Sequence, residues 1–342
     1  MSGETPPSTR DEPSEIDLTA ERDESGVEEA EMEARVGLSY TLLQLRRDPT
    51  ALAGLTVISV TTFVAIVATV DAWVLDYWFA QNFWYHPLRG PHAETNLPPY
   101  GVSNTFFDAS QTTIAHPLGT DARGRDVAVR LFYGTRIAIT VGFLSTTIGM
   151  VGGTLTGAVA GYYGGWIDDV LMRAAEMLYA IPFLILVIVI VSVLDPQRQN
   201  ALAVAMIGVG IASMPTFARL IRSRVFSVRE EEYVEAAEAA GVKDRWIILR
   251  HVIPNSFAPV LVQATLQIGV AILIIAGLSF LGFGAQPPQP SWGQMLSKAR
   301  SLMIPNPWFS IFPGICILFT VVGFNLLGDG LRDAADPRIQ NK

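Results

Sequence analysis

Residues 137–162 read IAITVGFLSTTIGMVGGTLTGAVAGY, a run of 26 residues with six glycines and no charged side chain. A bilayer core about 30 Å thick takes about 20 apolar residues of α-helix to cross, so this run is long enough to span it. Glycines at such spacing let helices pack closely in lipid. The stretch therefore predicts a membrane-spanning helix that packs closely against a neighbour.

Five more stretches have the length and composition of membrane spans. Each contains about 20 largely apolar residues, and they cover residues 49–70, 176–194, 201–219, 257–283 and 309–328. Pro182 lies inside the second of these and predicts a kink. The chain is therefore expected to be an all-α polytopic membrane protein with six transmembrane helices.

Composition agrees with a membrane protein and excludes other classes. Of the 342 residues, 50% are hydrophobic and 16% are charged, whereas about 25% are charged in soluble domains. Residues 1–35 contain twelve Asp or Glu and three Arg, a net charge of −9, so the remaining chain is close to neutral. The single cysteine, Cys316, excludes a disulfide scaffold. The lack of a basic face argues against nucleic-acid binding.

The N-terminal segment, residues 1–40, is predicted to be an acidic, disordered cytoplasmic tail. It is rich in Glu, Asp, Pro and Ser and cannot bury enough apolar surface to offset the entropy of ordering. It also lacks the basic start and apolar run of a signal peptide. A solvated extension and a regulatory tail both fit this composition. Residues 41–342 are expected to form one six-span membrane domain.

The distribution of Lys and Arg indicates the orientation, since positive charges gather on the cytoplasmic side of membrane proteins. With the N terminus inside, twelve Lys or Arg at residues 46–47, 219–250 and 332–342 fall on the inner side. Eight between residues 89 and 300 fall on the outer side, five of the eight within one long loop. Both termini are therefore expected in the cytoplasm, and the protein is expected to be multi-pass in the plasma (cytoplasmic or inner) membrane. The segments between spans include an outer loop 71–136, an inner loop 220–256 and a Pro-rich outer loop 284–308.

The inner loop contains the sequence EEEYVEAAEAAG at residues 230–241. Ser227 and Glu230 are spaced as a capping box, which predicts that a helix begins there, and Gly241 stands where a left-handed residue ends a helix. A second short helix is expected from residue 244 to about residue 252, ending at Pro254. Helical periodicity places four residues on one small, flat face of the first helix: Tyr233, Ala236, Ala237 and Ala240.

A flat face of this kind lets another protein come close, although alanines bury little apolar area at about 25 cal/mol per Å². A stiff helix–glycine–helix element held between two spans would move with them. It would therefore pass the motion of a partner protein into the bilayer. A hairpin that packs on its own membrane domain is the alternative interpretation.

This loop resembles the EAA loop of ABC importer membrane subunits, because Glu235-Ala236-Ala237 is followed by Gly241 and then by Pro254 at the twentieth position. His251 departs from that pattern, which has a large aliphatic residue there. Further stretches resemble C-type subunits of dipeptide/oligopeptide permeases, in the expected order over about residues 40–338. They are HPLGTD at 116–121, GRDV at 124–127, LSFLGFGAQPPQPSWG at 278–293 and NLLGDGLRD at 325–333.

The resemblance implies a type I ABC importer fold with a cytoplasmic coupling-helix loop. It implies half of a translocation pathway that moves dipeptides, oligopeptides or related solutes, such as nickel complexes or sugars, by alternating access. The implied partners are a homologous permease subunit in a heterodimer, two ATP-binding subunits and an extracytoplasmic solute-binding protein. ATP and Mg would bind to the partner subunits, so this chain is expected to have no cofactor, no catalytic residue and no ATPase site of its own.

The resemblance also assigns roles to individual residues. Contact with the ATP-hydrolysing subunit is expected from Tyr233, Glu235, Ala236, Ala237, Ala240, Gly241 and Pro254. Contact with a partner at the outer face is expected from Gly119, Asp121, Gly124, Arg125, Asp126 and Trp292.

Residues 124–136 have the pattern of an amphipathic helix, with Asp126 and Arg130 as a favourable i,i+4 pair. The segment is expected to lie at the outer membrane surface, and a packing element that leads into the second span is the alternative. Three histidines share the outer loop, but their spacing is not that of metal ligands, so no metal site is predicted. They are His86, His92 and His116.

A secondary, ion-coupled carrier or channel that works without ATPase subunits is the competing function. Such a protein needs ion sites within the membrane or an internal repeat, and the sequence offers neither a carboxylate deep in a span nor an obvious repeat. A membrane enzyme lacks support because no catalytic cluster lies at a membrane edge. A nucleotide site on this chain lacks support because none of its three lysines belongs to a phosphate-binding loop.

Overall fold

The computed structural model describes residues 48–335, and within that range the regular secondary structure is helical. The predicted tail, residues 1–40, and the closing residues 336–338 lie outside the described residues. The helices are α1 (Pro49–Trp73), α2 (Trp78–Phe83), α3 (Val127–Tyr163), α4 (Gly165–Ala180), α5 (Phe183–Leu194), α6 (Ala201–Arg229), α7 (Glu232–Ala239), α8 (Asp244–Ile247), α9 (Ile253–Ser256), α10 (Ala258–Phe280), α11 (Trp292–Ala299) and α12 (Trp308–Ala335).

Five helices of the described chain are long and apolar enough to cross a membrane, namely α1, α3, α6, α10 and α12. The predicted spans at 49–70, 257–283 and 309–328 coincide with α1, α10 and α12. The span predicted to end at residue 219 continues to Arg229 as α6. Its extra turns stay helical because Ile221 and Val225, one turn apart, are fully buried in the bundle.

The third predicted span, residues 176–194, is two helices rather than one kinked helix. α4 and α5 meet at Ile181-Pro182 with a bend of 93°. Pro182 lacks an N–H group and forces the residue before it out of the helical region, and Ile181 is indeed extended. α5 alone rises about 18 Å, less than a bilayer core. The sixth candidate span is therefore the bent pair α4–α5, which has the geometry of a broken span or of a re-entrant loop.

The surface helix predicted over residues 124–136 is instead the beginning of α3. Asp126 caps this helix, and its side chain accepts a hydrogen bond from Val129 N at 2.8 Å. Arg130 and Tyr133 in the first turns are buried. The segment therefore packs inside the bundle and leads into the span, which was the alternative interpretation.

The contact between α3 and α6 is the most extensive between any two helices in the described chain. The glycines of α3 make it close, as their spacing predicts. A methyl group at Gly153 would lie 2.5 Å from the main-chain oxygen of Met214 and 2.6 Å from Phe217 Cβ. Gly149 and Gly157 face α6 in the same way, at Ser213 and Ala218. Two backbones thus meet with almost no side chain between them.

Substitution Gly153→Ala is expected to destabilise the bundle by about 1–3 kcal/mol, because overpacking a tight contact forces backbone shifts. Thermal unfolding of the purified protein in detergent measures the effect. Gly277→Ala in α10 is the matched control, since no atom lies within 4 Å of its added methyl group. Equal unfolding temperatures for the two variants would contradict the packing role of α3.

Candidate functional site

The connecting hairpin (residues 230–256) joins α6 to α10 at one end of the bundle. It lies beside the C-terminal end of α3, where Arg229 donates from Nη1 to the main-chain oxygen of Tyr162 at 3.1 Å. The corner formed by residues 116–130 lies at the other end of α3. A helix of 37 residues rises about 55 Å, so the two regions are at opposite ends of the molecule.

The first arm of the hairpin is α7. It begins at Glu232 with Glu231 as the N-cap residue, so the predicted start at Ser227 is wrong, because Ser227 still belongs to α6. The predicted end is confirmed: Gly241 has φ +74°, a conformation that favours glycine. Gly241 N donates to Glu238 O at 2.9 Å and closes the helix.

The second arm runs through α8, a π-helical turn at Ile248–Val252 and α9. The predicted end at Pro254 is wrong, since Pro254 lies inside α9. Proline is tolerated there because it stands in the first turn of that helix, where an N–H group would have no helical partner.

Buried apolar side chains fix both arms to the bundle. Val234 of the first arm and Ile247 and Val252 of the second are fully buried. They pack in one cluster with residues of α3, α6 and α10. The hairpin is therefore not a loose loop, and a force on it acts directly on three of the long helices.

The face predicted to contact an ATP-hydrolysing subunit is open to solvent. Tyr233 is 42% exposed, and Ala237 is the one half-buried member of the predicted set. The exposed members are Tyr233, Glu235, Ala236, Ala240, Gly241 and Pro254. The Tyr233 ring lies 6.5 Å from the ring of His251 and so brings the two arms together. Partial burial and the Glu231 carboxylate raise the pKa of Tyr233, which keeps its hydroxyl protonated.

A second exposed surface on the hairpin was missed by sequence reasoning. Val242, Trp246, Arg250 and His251 line an open cavity of about 500 Å³. Trp246 is 51% exposed and Leu249 beside it is 54% exposed. Large exposed apolar side chains grouped in this way mark an interaction surface. Trp246 and Leu249 stand three residues apart in a polar loop, and this spacing is the sequence signal that would have indicated the exposed surface.

The six residues predicted to contact a partner at the outer face are all buried: Gly119, Asp121, Gly124, Arg125, Asp126 and Trp292. They shape the 116–130 corner and the start of α3 from within. Any direct contact with a partner there therefore belongs to exposed neighbours such as Arg123.

Asp121 and Arg125 form a buried ion pair at the centre of this corner. Asp121 Oδ2 accepts from Arg125 Nε at 2.9 Å and from Nη2 at 2.6 Å. Burial alone would raise the pKa of Asp121, but the hydrogen bonds and charge of Arg125 outweigh it and hold the pKa below its usual value. Asp121 Oδ1 also accepts from the main-chain N of Arg123 at 2.8 Å, so the carboxylate ties the turn together.

Gly119, Gly124 and Trp292 complete this end of the molecule. Gly119 and Gly124 have positive φ angles, and side chains there would collide with neighbouring carbonyl groups. Trp292 donates from Nε1 to Leu131 O at 3.0 Å and lies against Gly134 of α3. The close approaches to the backbone at Gly119, Gly124 and Gly134 require glycine, so these positions have a structural role.

The ring nitrogens of the three outer-loop histidines have hydrogen-bond partners within the protein. His116 Nδ1 lies 2.8 Å from Asp126 Oδ2, His86 Nδ1 accepts from the main chain of Leu88 at 3.2 Å, and His92 Nε2 lies 3.0 Å from His86 O. Within residues 48–335, no group of three or more metal-ligating side chains is placed to hold a metal ion.

Residues 153–341 match the family described as binding-protein-dependent transport system inner membrane component. This chain belongs to that family. The permease is 42% identical over 298 residues to the dipeptide transport system permease protein DppC of Alkalihalophilus pseudofirmus, covering 87% of this chain and 89% of the relative. It is 42% identical over 249 residues to the glutathione transport system permease protein GsiD of Pectobacterium atrosepticum, covering 72% of this chain and 81% of the relative.

A solved structure of an ABC transporter has the same fold as this chain. The permease resembles a chain of the MetNI methionine ABC transporter in an inward-facing conformation, with a TM-score of 0.50 and 17% sequence identity. The match covers 61% of this permease and 98% of that chain. The resemblance inferred from sequence motifs is thus confirmed: the chain is a multi-pass permease subunit of a binding-protein-dependent ABC importer with the type I fold.

Asp121→Asn is expected to destabilise the permease by about 3–5 kcal/mol at neutral pH, because it leaves Arg125 buried without its charge partner. A carboxylate with a lowered pKa stabilises the fold fully above about pH 4, and this stabilisation is lost as the pH falls through the folded-state pKa. The gap in unfolding temperature between wild type and variant is therefore expected to shrink from pH 7 to pH 3. Asp333→Asn, at an exposed site, is the control, and a gap independent of pH would contradict the assignment.

Proposed function

We propose that this permease forms half of a translocation pathway for dipeptides, oligopeptides or related solutes such as nickel complexes or sugars. It pairs with a homologous permease subunit, and an extracytoplasmic solute-binding protein delivers the solute. Two relatives at 42% identity support short peptides as the solute class, since one is named for dipeptide and the other for glutathione transport.

The observation that carries the proposal is the connecting hairpin, which combines an exposed alanine face with a buried anchor. Two ATP-binding subunits hold ATP and Mg, while this chain contributes no catalytic residue and no cofactor. Their closure moves the hairpin, and α3, α6 and α10 move with it because they share its apolar cluster. Reversing the populations of two membrane states from 1:99 to 99:1 takes about 5.5 kcal/mol, which ATP binding on the partner subunits supplies.

The orientation of the permease follows from this assignment. The hairpin lies in the cytoplasm together with both chain termini, and the 116–130 corner faces the binding protein outside. Asp71 and Asp168 are buried carboxylates near helix ends, and each already has a partner: Phe79 N donates to Asp71 at 2.7 Å, and Arg222 pairs with Asp168. This supports an energy source outside the membrane over an ion-coupled pathway.

Uptake by reconstituted vesicles tests the transport proposal. The complete complex, with both permease subunits and both ATP-binding subunits, is expected to accumulate a labelled dipeptide when ATP is on the hairpin side and binding protein on the other. Vesicles without the ATP-binding subunits are expected to show no uptake under a proton or sodium gradient. Gradient-driven uptake by the permease subunits alone would establish the ion-coupled carrier instead.

Variants of the hairpin test its contact with the ATP-binding subunits. Ala236→Arg, which fills the flat face, and Trp246→Ala, which removes the large exposed ring, are each expected to weaken binding of those subunits about tenfold or more. Gly241→Val is expected to lower transport similarly, because valine tolerates positive φ poorly. Ala239→Arg on the same helix but off this face is the matched control. Normal subunit binding and uptake for all three variants would defeat the assignment.

A further inference from the structure

Three elements of the permease meet at Tyr162, the penultimate residue of α3. Its side chain is 7% exposed and belongs to the apolar cluster that anchors the hairpin. Its hydroxyl donates to Glu238 Oε1 at 2.8 Å. Its main-chain oxygen accepts from Arg229 at the end of α6. One residue therefore contacts α6 and the first arm of the hairpin at once.

The chain turns sharply immediately after Tyr162 and Tyr163. Gly164 and Gly165 have φ angles of +63° and +53°, which lead from α3 into α4. α4 is then held against α6 by the Asp168–Arg222 pair, with Arg222 Nη2 at 2.5 Å from Asp168 Oδ2. The ends of α3 and α6 and the start of α4 thus form one corner tied by charged hydrogen bonds.

Glu238 is the contact of the first arm with this corner. It lies in the last turn of α7, next to the half-buried Ala237 and three residues before Gly241. The remaining anchor of this arm is apolar and depends on Val234. Apolar contacts resist separation but have no direction, whereas a hydrogen bond has a preferred angle and weakens steeply when that angle changes. The hydroxyl–carboxylate contact therefore fixes how α7 sits on the corner.

We propose that Tyr162 and Glu238 are a positioning pair that transmits movement of α7 to the corner of α3, α4 and α6. The proposal rests on the proposed function, in which the hairpin receives the motion of the ATP-binding subunits. Neither residue touches solute or ATP in this scheme. Losing their contact lets α7 slide on its apolar anchor, so that ATP is hydrolysed with less movement of the membrane helices.

The test uses the complete complex in vesicles and measures dipeptide transported per ATP hydrolysed. Tyr162→Phe keeps the buried ring, so the unfolding temperature is expected to fall only by the small amount that one hydrogen bond contributes, and the affinity for ATP-binding subunits is expected to stay unchanged. Dipeptide transported per ATP is expected to fall about three- to tenfold, the range of a lost hydrogen bond to a charged group after allowance for the exposed glutamate. Glu238→Ala is expected to give the same loss, and the double variant no further loss.

Two matched variants make the result specific. Glu238→Gln keeps an oxygen that accepts from the tyrosine hydroxyl, so it is expected to retain wild-type transport per ATP. Glu232→Ala removes an exposed glutamate of the same helix that makes no side-chain hydrogen bond in the described chain, and it is expected to be neutral. A merely structural role would instead lower the subunit affinity of Tyr162→Phe, or lower its unfolding temperature by more than one hydrogen bond accounts for.

Three results would each overturn the pair. The first is normal transport per ATP for Tyr162→Phe, and the second is additive losses in the double variant. The third is a loss of stability large enough to account for the loss of transport. Failure of the proposed function has a different signature, which is unchanged binding of ATP-binding subunits to Ala236→Arg and Trp246→Ala. That result would remove the premise of the pair as well. The two failures are read from different measurements, binding in one case and transport stoichiometry in the other.

Discussion

The close approach of α3 and α6 is the constraint on which the rest of the structure depends. Glycines such as Gly153 bring the two backbones together without intervening side chains. Packing in lipid has no hydrophobic drive between apolar helices, so contact of this kind supplies much of the attraction. The rigid pair of α3 and α6 therefore supports a different part of the molecule at each of its two ends. One end supports the 116–130 corner, and the other supports the connecting hairpin.

The two ends are built from different interactions. At the N-terminal end of α3, charged groups are buried and paired, as Asp121 is with Arg125. A buried pair is weak evidence for stability, but here it fixes one shape for a turn that also needs two left-handed glycines. At the C-terminal end, the anchor of the hairpin is apolar, while its alanine face, Trp246 and Leu249 stay exposed. An exposed surface on a rigid base suits contact with a separate protein.

Local sequence patterns predicted those features of the fold that depend on residues adjacent in the chain. The left-handed Gly241 follows from the conformational preference of glycine, and the close packing of α3 follows from its lack of a side chain. Pro182 predicted a kink from its missing N–H group, and the structure has a full break there. The errors came from tertiary packing. Ser227 has the spacing of a helix start, yet burial of Val225 keeps α6 helical through it. The contact between Tyr162 and Glu238 joins residues 76 positions apart, so no local pattern indicates it.

Anchoring also decides how a hairpin can transmit force. A hairpin fixed to one helix would tilt that helix alone, whereas this one shares a buried cluster with α3, α6 and α10. A packed cluster is dense and nearly incompressible, so displacing one member displaces the others. The α4–α5 pair, in contrast, lies outside this cluster and packs on α6 through separate apolar contacts and through the Asp168–Arg222 pair. Motion imposed at the hairpin therefore reaches α3, α6 and α10 directly through this cluster. It reaches α4 and α5 indirectly, through their apolar and charged contacts with α6.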